Sequence, residues 1–570
     1  METVFSEYFP YTHHPVQMPP LAAGREPGRK PVVIAGGGPT GLALALGLAR
    51  FGVATIVLEA DDTVCSGSRA GAFTRRTMEI LQRIGIADEM VRNSYGWSRS
   101  WTFFREQEVL RTDHPMDELQ KYPPTISQLQ NYMEDVMVKH AERSGGLIDI
   151  RWQTSVTAVK QLGDGVSVSV ATPDGEYAIE TDWLVACDGG HSTVRKSLDL
   201  RMEGSRYSGR YIIIDVRVDT GDMLPGRRFW FDPPTRPGGT LIMYKKPNGM
   251  LRFDYQVREG EDENEEIKQE KVFDFVGRQL KWMGIKAPWE PVWLSLYRVT
   301  ATTLPSYVHD RVIFAGDAAH IMPIFGVRGF NSAIEDTHNL SWKLALVLKG
   351  QADASLLKSY STERVAVARR NHFFAIRRAE FYAPPSRGAR TLRDAVLSLA
   401  GRHPWAASLL DPRWHSASQL MASPLNSATD DPSFKKGPMP GDVLPECPVV
   451  KDADSGFLTD LLGPHFTCMT FSMDGRPSGA SEEIETCLRD ALPIRFLHVA
   501  VGDPGQGAVH DPSGRLPSLF DARPGTTYLV RPDGHVQARW RELLPEQIIA
   551  LLKKTLARAD SPAATAELAS

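Results

Sequence analysis

The stretch PVVIAGGGPTGLALALGLARF, residues 31–51, decides the fold. Pro31 to Ala35 is a short β-rich apolar run, Gly36-Gly37-Gly38-Pro39-Thr40-Gly41 is a glycine turn, and Leu42 to Phe51 is built from helix formers. Strand, turn and helix therefore follow one another directly. Gly36, Gly38 and Gly41 match G-x-G-x-x-G, in which the first glycine makes the tight turn, the second admits a pyrophosphate and the third lets helix and strand pack closely. A phosphate then rests on a helix N-terminus, where backbone N–H groups point outward. Val53 to Leu58 reads as the next strand and ends on Glu59, placed where a carboxylate takes both hydroxyls of a ribose diol. The pattern predicts a βαβ unit of Rossmann type with a dinucleotide on it.

Outward from this unit, 570 residues are too many for one hydrophobic core, and roughly 100–200 residues per domain suggests about three units. Residues 1–30 carry His13, His14, Arg25, Arg29, Lys30 and several prolines, with no apolar leader segment, and read as a flexible N-terminal arm. Residues 31–200 and 300–400 form the discontinuous dinucleotide-binding domain. Alternating stretches such as Tyr211 to Val218, broken at Pro225-Gly226 and Pro237-Gly238-Gly239, predict an inserted antiparallel sheet over 201–299. Asn331 to Leu348 and Ser355 to Glu380 have helical spacing and predict long helices. Residues 401–440 read as a helix and linker, and 441–570 as a third domain with its own strand and helix alternation. The fold class is thus mixed, α/β and α+β.

A net charge of -4 gives no electrostatic case for nucleic acid. Cys65, Cys187, Cys447, Cys468 and Cys487 are far apart and show neither C-x-x-C nor Cys/His ligand spacing, which suits a reducing cytoplasm and predicts no metal site. The most apolar stretch, Val32 to Leu48, is broken by glycines and stops short of the ~20 residues needed to cross a bilayer.

Three further segments separate FAD from NAD. Arg311-Val312-Ile313-Phe314-Ala315-Gly316-Asp317-Ala318-Ala319-His320 resembles the second FAD fingerprint of the flavoprotein aromatic hydroxylases, the family of para-hydroxybenzoate hydroxylase and phenol hydroxylase. Ala186-Cys187-Asp188-Gly189-Gly190-His191 resembles that family's Asp-Gly motif, which serves both FAD and the nicotinamide coenzyme. Arg69-Ala70 leading into Arg76-Thr77-Met78-Glu79 resembles the segment that lays an arginine along the FAD pyrophosphate, and Gln130-Asn131-Tyr132-Met133-Glu134 resembles the cofactor glutamine helix. The resemblance implies a Rossmann-like FAD domain with Gly316 and Asp317 at the ribityl chain. It also implies a flavin cover made by Pro323 and by Gly326 to Asn331, so that Arg328, Gly329, Phe330 and Asn331 face the ring. Backbone N–H groups at that helix start would stabilise negative charge on a reduced flavin. Arg328 then either favours the anionic reduced flavin or stays in solvent. His320 reads as a packing histidine. The tail, clearest at Tyr528 to Val536, resembles the thioredoxin-like C-terminal domain of larger members, here without C-x-x-C and so a packing or homodimer-contact module.

The function implied is an FAD-dependent monooxygenase that hydroxylates a small, phenolic, anionic aromatic compound, with NADH or NADPH as reductant and O2 as co-substrate. A dry pocket is the protein's contribution. In the middle domain, Leu241 to Lys246, Pro247-Asn248-Gly249 and Leu251 to Val257 read as strand, turn and strand. Arg252 takes the place of a family arginine that approaches the flavin. Counting back without gaps puts Tyr244 and Lys246 on substrate-holding positions, with Lys246 either the anion anchor or a hairpin lysine in water. The family's phenol-activating groups are unmatched, at Ala70-Gly71-Ala72 and near Phe231, which leaves Asp254 as a candidate base. Two other readings stay open: a polyketide or antibiotic hydroxylase of the same fold, and a flavin-bound redox module without turnover.

Overall fold

A computed structural model describes residues 2–6, 8–67, 69–114, 116–410, 418–428, 430–452, 454–477, 494–542 and 544–556, so Cys487 and the tail beyond 556 lie outside the described residues. The strand Lys30–Ala35 is the centre of a parallel sheet. Thr55–Leu58 and then Ile148–Arg151 lie on one side, and the last part of Gly175–Ala186 with Val312–Phe314 on the other. Val32, Val33, Ile34 and Ala35 are fully buried, the continuous apolar run that a strand covered on both faces requires. The helix Pro39–Ala49 starts with Pro at its first turn, where the missing N–H is no loss, and buries Leu42, Leu44 and Leu48. At Gly47 an added Cβ would sit 3.0 Å from that of Ser341, so glycine is what lets this helix lie against the long helix Gly329–Leu348.

A second sheet of nine strands stands against the glycine turn. Its main path runs Glu2–Val4, Trp289–Thr303, Glu203–Val218, Met250–Val257, Thr240–Lys246, Arg227–Phe231, Arg99–Phe104 and Gln107–Asp113. Strand alternation gives it two unlike faces. Ile212, Ile214, Leu241, Met243, Leu251 and Phe253 pack on Val272, Phe275 and Val276 of the helix Gln269–Trp282. The residues between them, including Ile213, Asp215, Arg227, Tyr244, Arg252 and Asp254, turn toward the parallel sheet. The sheet expected over 201–299 also takes in strands from residues 2–4 and 99–113, because an edge strand recruits whatever backbone can complete its ladder.

The expectation of a flexible N-terminal arm is corrected by this arrangement. Glu2–Val4 pairs antiparallel with Trp293 to Ser295, Phe5 meets Phe273 edge to face, and Tyr8 and Phe9 are buried. The side-chain amide of Asn131 donates to Tyr11 at 3.1 Å, and His14 stacks on Trp152 at 4.4 Å. Four aromatic rings in seven residues bring enough apolar area to hold the strap down, against the polar and proline content that reads as disorder.

At the other end, Ile494–Ala500, Phe466–Ser472, Thr527–Val530 and Val536–Trp540 form a four-stranded sheet, the first pair parallel and the rest antiparallel. A buried ionic cluster fastens it to the rest of the chain. Arg531 donates from both terminal nitrogens to Glu363, at 2.7 and 3.0 Å, on the helix Leu356–Tyr382, while Asp533 accepts from Asn339 and Trp342 of Gly329–Leu348. Among the described residues no helix is long and apolar enough to cross a membrane.

Candidate active site

Between the two sheets, at the carboxyl ends of the parallel strands, lies a cavity of about 890 Å³, at the upper end of the range for ligand sites. The glycine turn forms one end. Gly36 has φ +102°, and a Cβ on it would lie 2.5 Å from the Cys187 carbonyl oxygen; a Cβ on Gly41 would lie 1.9 Å from the Gly36 carbonyl oxygen. Those two glycines serve close packing, and Gly41 does not reach the cavity. Gly38 lines it, and a Cβ there meets nothing within 4 Å. Open space in front of the helix N-terminus of Pro39–Ala49 is the cradle a pyrophosphate needs.

Around this end the expected cofactor residues come together. Glu59 accepts from the backbone N–H of Gly37 at 2.7 Å and of Asp61 at 2.9 Å, and burial holds its carboxyl above the usual range. Gln130 accepts from the Ala70 N–H at 3.0 Å and donates to Glu134 at 2.9 Å, so its amide fixes the loop that carries Arg69. Arg69 stands at the rim, 3.7 Å from Glu2 of the N-terminal strap. Asp188 lines the same cavity; one of its oxygens accepts from the Val194 N–H at 3.1 Å, and the other is buried with no hydrogen-bond partner.

The cavity continues past Asp317, whose exposed side chain opens onto it, and desolvation by the surrounding protein raises its carboxyl. Gly316 holds φ +60° beside Thr40 and stays behind the wall, as does Gly326. Pro323, Arg328, Gly329, Phe330 and Asn331 all line it. Val327 has φ +59°, a strained conformation for a β-branched residue, immediately before the helix Gly329–Leu348 begins. Gly329, Phe330 and Asn331, the first residues of that helix, line the cavity, so the end of the helix that carries N–H groups without intrahelical partners lies at its wall.

The Asn331 side chain is committed to the protein: it accepts from the Thr74 N–H at 2.9 Å and the Thr77 hydroxyl at 2.5 Å, and donates to Val327 at 3.0 Å. Only its backbone is left for a ligand. Arg328 donates to Asn371 at 2.6 Å, and burial, with Arg378 and Arg370 nearby, lowers its pKa to about 10. His320 bonds to Asp336 at 2.6 Å and does not line the cavity.

These features belong to a known family. Residues 29–375 match the FAD binding domain family. The chain belongs to the FAD-binding flavoprotein monooxygenases. Over 549 residues it is 27% identical to the 3-(3-hydroxy-phenyl)propionate/3-hydroxycinnamic acid hydroxylase of Klebsiella pneumoniae (strain 342), covering 93% of this chain and 96% of that one. It is similar in fold to the flavin-dependent monooxygenase PieE, with TM-score 0.79, 21% identity, and coverage of 94% and 100%. It is also similar to the p-nitrophenol 4-monooxygenase PnpA of Pseudomonas putida DLL-E4, with TM-score 0.58, 25% identity, and coverage of 67% and 96%. FAD is the cofactor of this flavoprotein monooxygenase, and the cavity-lining carboxylates, the open Gly38 cradle and the helix starts described above fit it.

The far end of the cavity is a wall of the second sheet. The hairpin Thr240–Lys246 and Met250–Val257 forms as expected, with Asn248 and Gly249 at φ +61° and +69° in its turn. Register places Arg227, Tyr244, Arg252, Asp215 and Trp293 side by side across five strands. Arg252 donates to both oxygens of Asp215, at 2.7 and 2.9 Å, and to the Arg69 carbonyl at 2.7 Å. Arg227, 6% exposed, lies 5.2 Å from the Tyr244 ring and 5.6 Å from those of Trp97 and Phe229.

Lys246 is placed differently from either sequence expectation: it is neither on the cavity wall nor in water. It is fully buried, 3.4 Å from Asp215, and its ammonium lies behind Gly71, which separates it from the cavity. Burial, then Arg252, lowers its pKa to about 7. Lys246 shares a strand face with Tyr244, but it sits two residues further toward the turn, where the Gly71 loop covers the sheet. Asp215 and Arg227 are functional candidates that sequence reasoning missed. The signal for Asp215 is a lone carboxylate inside the apolar run YIIIDVRV at residues 211–218; Arg227 follows a Pro-Gly break and gives none.

Proposed function

We propose that this flavoprotein aromatic hydroxylase acts on a phenolic acid, with NADH or NADPH as reductant and O2 as the second substrate. The observation that carries the reading is a buried, caged guanidinium, Arg227, on the cavity wall that faces away from the glycine turn. A cation held among three aromatic rings is weakly solvated, so a carboxylate beside it gains a strong charge-assisted hydrogen bond while the ring of the same ligand stacks on apolar neighbours. The name of the Klebsiella relative, a hydroxylase of two phenolic acids, supports the same substrate class. Bound FAD supplies the redox chemistry. The chain's own residues would hold it: Gly38 and the N-terminus of Pro39–Ala49 at the pyrophosphate, Glu59 at the ribose, Asp317 at the ribityl chain, and the N–H groups from Gly329 at the ring. Arg227 orients the substrate, Tyr244 and Arg252 form the wall, and the strap of residues 2–11 with the strained Val327 loop excludes water.

The C-terminal sheet has the strand order and directions of a thioredoxin-like unit, which supports assigning residues 441–570 to that fold as a packing module. The separated cysteines support a cytoplasmic location.

The test is oxidation of NADH and NADPH by the FAD-loaded protein with a panel of phenolic acids, uncharged phenols and larger polycyclic phenols, followed by product identification. A hydroxylated phenolic acid with O2 consumed in proportion is the expected result. Turnover of polycyclic phenols alone refutes the reading.

A further inference from the structure

This inference rests on the phenolic-substrate reading above and assigns the group that ionises the substrate. Two carboxylates stand on the cavity-facing side of the second sheet, and the structure treats them differently. Asp215 is consumed by Arg252, at 2.7 and 2.9 Å, and by Lys246 at 3.4 Å. Asp254, opposite Ile242 and Ile213 in the ladder, is 4% exposed and lines the cavity, and its Oδ1 is buried with no hydrogen-bond partner. A buried carboxyl oxygen left without a donor is costly, and such groups persist where a function uses them.

The placement also suits a phenolic acid held by Arg227. Arg227 pairs with Tyr244 and Tyr244 with Arg252, so Asp254 lies two strands and two residues away from Arg227. Strand spacing and rise put the two Cα atoms about 12 Å apart. Two inward-reaching side chains then leave a gap spanned by one ring and a short acid chain.

We propose that Asp254 is the catalytic base that accepts the phenolic proton. In that step the substrate O–H bond breaks and an O–H bond forms on the Asp254 carboxylate, the residue that lines the cavity. The electron pair stays on the substrate oxygen, and nothing is oxidised or reduced. The ring becomes electron-rich and ready to receive an oxygen atom, and the carboxyl group returns its proton to water before the next turnover. The groups whose charge acts on Asp254 are Arg252 on its own strand, Arg227, Asp215 from Glu203–Val218 and, more weakly, Lys246 behind the Gly71 loop, with the Tyr244 and Tyr211 hydroxyls beside them. The guanidinium groups compensate the new phenolate, so the wall's charge suits the product of the transfer. Burial raises the carboxyl to about 6 against the opposite pull of Arg252 and Arg227, which leaves it ionised at neutral pH with a high proton affinity for a carboxylate.

The experiment uses FAD-loaded wild type, Asp254→Asn and Asp254→Glu with 3-(3-hydroxyphenyl)propionate and with a nitrophenol, which ionises more readily and whose phenolate is yellow. In wild type, kcat/KM for the phenolic acid should fall as pH drops through about 6. Asp254→Asn should lose that limb and fall in rate by roughly 10²–10⁴-fold, while nitrophenol turnover falls far less and flavin content is unchanged. Nitrophenol bound near pH 6.5 should show the phenolate band in wild type and the phenol band in Asp254→Asn, and Asp254→Glu should restore part of both effects. An unchanged band and pH limb in Asp254→Asn, with wild-type turnover intact, overturn Asp254 as the base. Wild type that responds to no phenol overturns the substrate reading on which the proposal stands.

Discussion

Gly38→Ala and Gly41→Ala separate the two reasons for glycine in the same turn. At Gly41 the new Cβ would lie 1.9 Å from the Gly36 carbonyl oxygen, so backbone has to move by more than 1 Å, and overpacking of this kind costs about 1–3 kcal/mol or more. At Gly38 the backbone is extended, with φ -70°, and nothing lies within 4 Å of the added methyl, so the apoprotein should melt within about 0.5 kcal/mol of wild type. The methyl does occupy the space into which the pyrophosphate must come. Losing one charge-assisted N–H bond there removes about 1.5–3 kcal/mol, a roughly tenfold to 150-fold rise in the FAD dissociation constant. Thermal melts of the apoprotein and titration with FAD, followed by quenching of flavin fluorescence, read the two quantities separately. A Gly38→Ala protein that binds FAD as wild type does refutes the placement of the pyrophosphate at this helix start.

Three other outcomes follow from the geometry. Arg227→Met should raise KM for a phenolic acid by roughly 10- to 100-fold and leave an uncharged phenol within a few-fold, whereas Lys246→Met should leave KM for the acid nearly unchanged; steady-state kinetics with matched substrates decides between the two cations. Arg531→Met leaves buried Glu363 with Lys343 as its one remaining cation among the described residues and takes the guanidinium from buried Asp533, which should cost about 3–5 kcal/mol, seen as a lowered Tm. Although burial raises it, Arg531 and Lys343 hold the Glu363 carboxyl well below its ordinary range, so its contribution is complete above about pH 5 and is lost as pH falls below about 4. Melts from pH 7 to 3 should therefore fall less steeply in Arg531→Met than in wild type.

The cofactor half of the site is legible in the sequence because its chemistry is local. Gly36, Gly38, Gly41 and Glu59 sit within one βαβ unit, and the Asp188 and Asp317 motifs each end a strand of the same parallel sheet. The substrate half depends on register between strands that are far apart in the chain. The ungapped count from Arg252 puts Tyr244 and Lys246 on one strand face, yet it cannot see that the Gly71 loop lies over Lys246. Nothing local marks Arg227 as the neighbour of Tyr244, and Asp215 acquires its partner Arg252 only when Glu203–Val218 and Met250–Val257 lie side by side. The N-terminal strap was hidden for a related reason: the strand that receives Glu2–Val4 lies some 290 residues away.

That separation has a consequence for how the protein is made. Glu2–Val4 pairs with Trp293 to Ser295, so the first-made strand of this sheet waits unpaired on the ribosome while nearly three hundred residues are added. At about 5–20 residues per second the wait is roughly 15–60 s, long compared with the microseconds in which a local hairpin forms. During that interval Glu2–Val4 lacks its ladder partner and, until residue 273 is made, Phe5 lacks Phe273, so slowing translation before residue 300 should lengthen the window in which chaperones bind this segment and in which it aggregates.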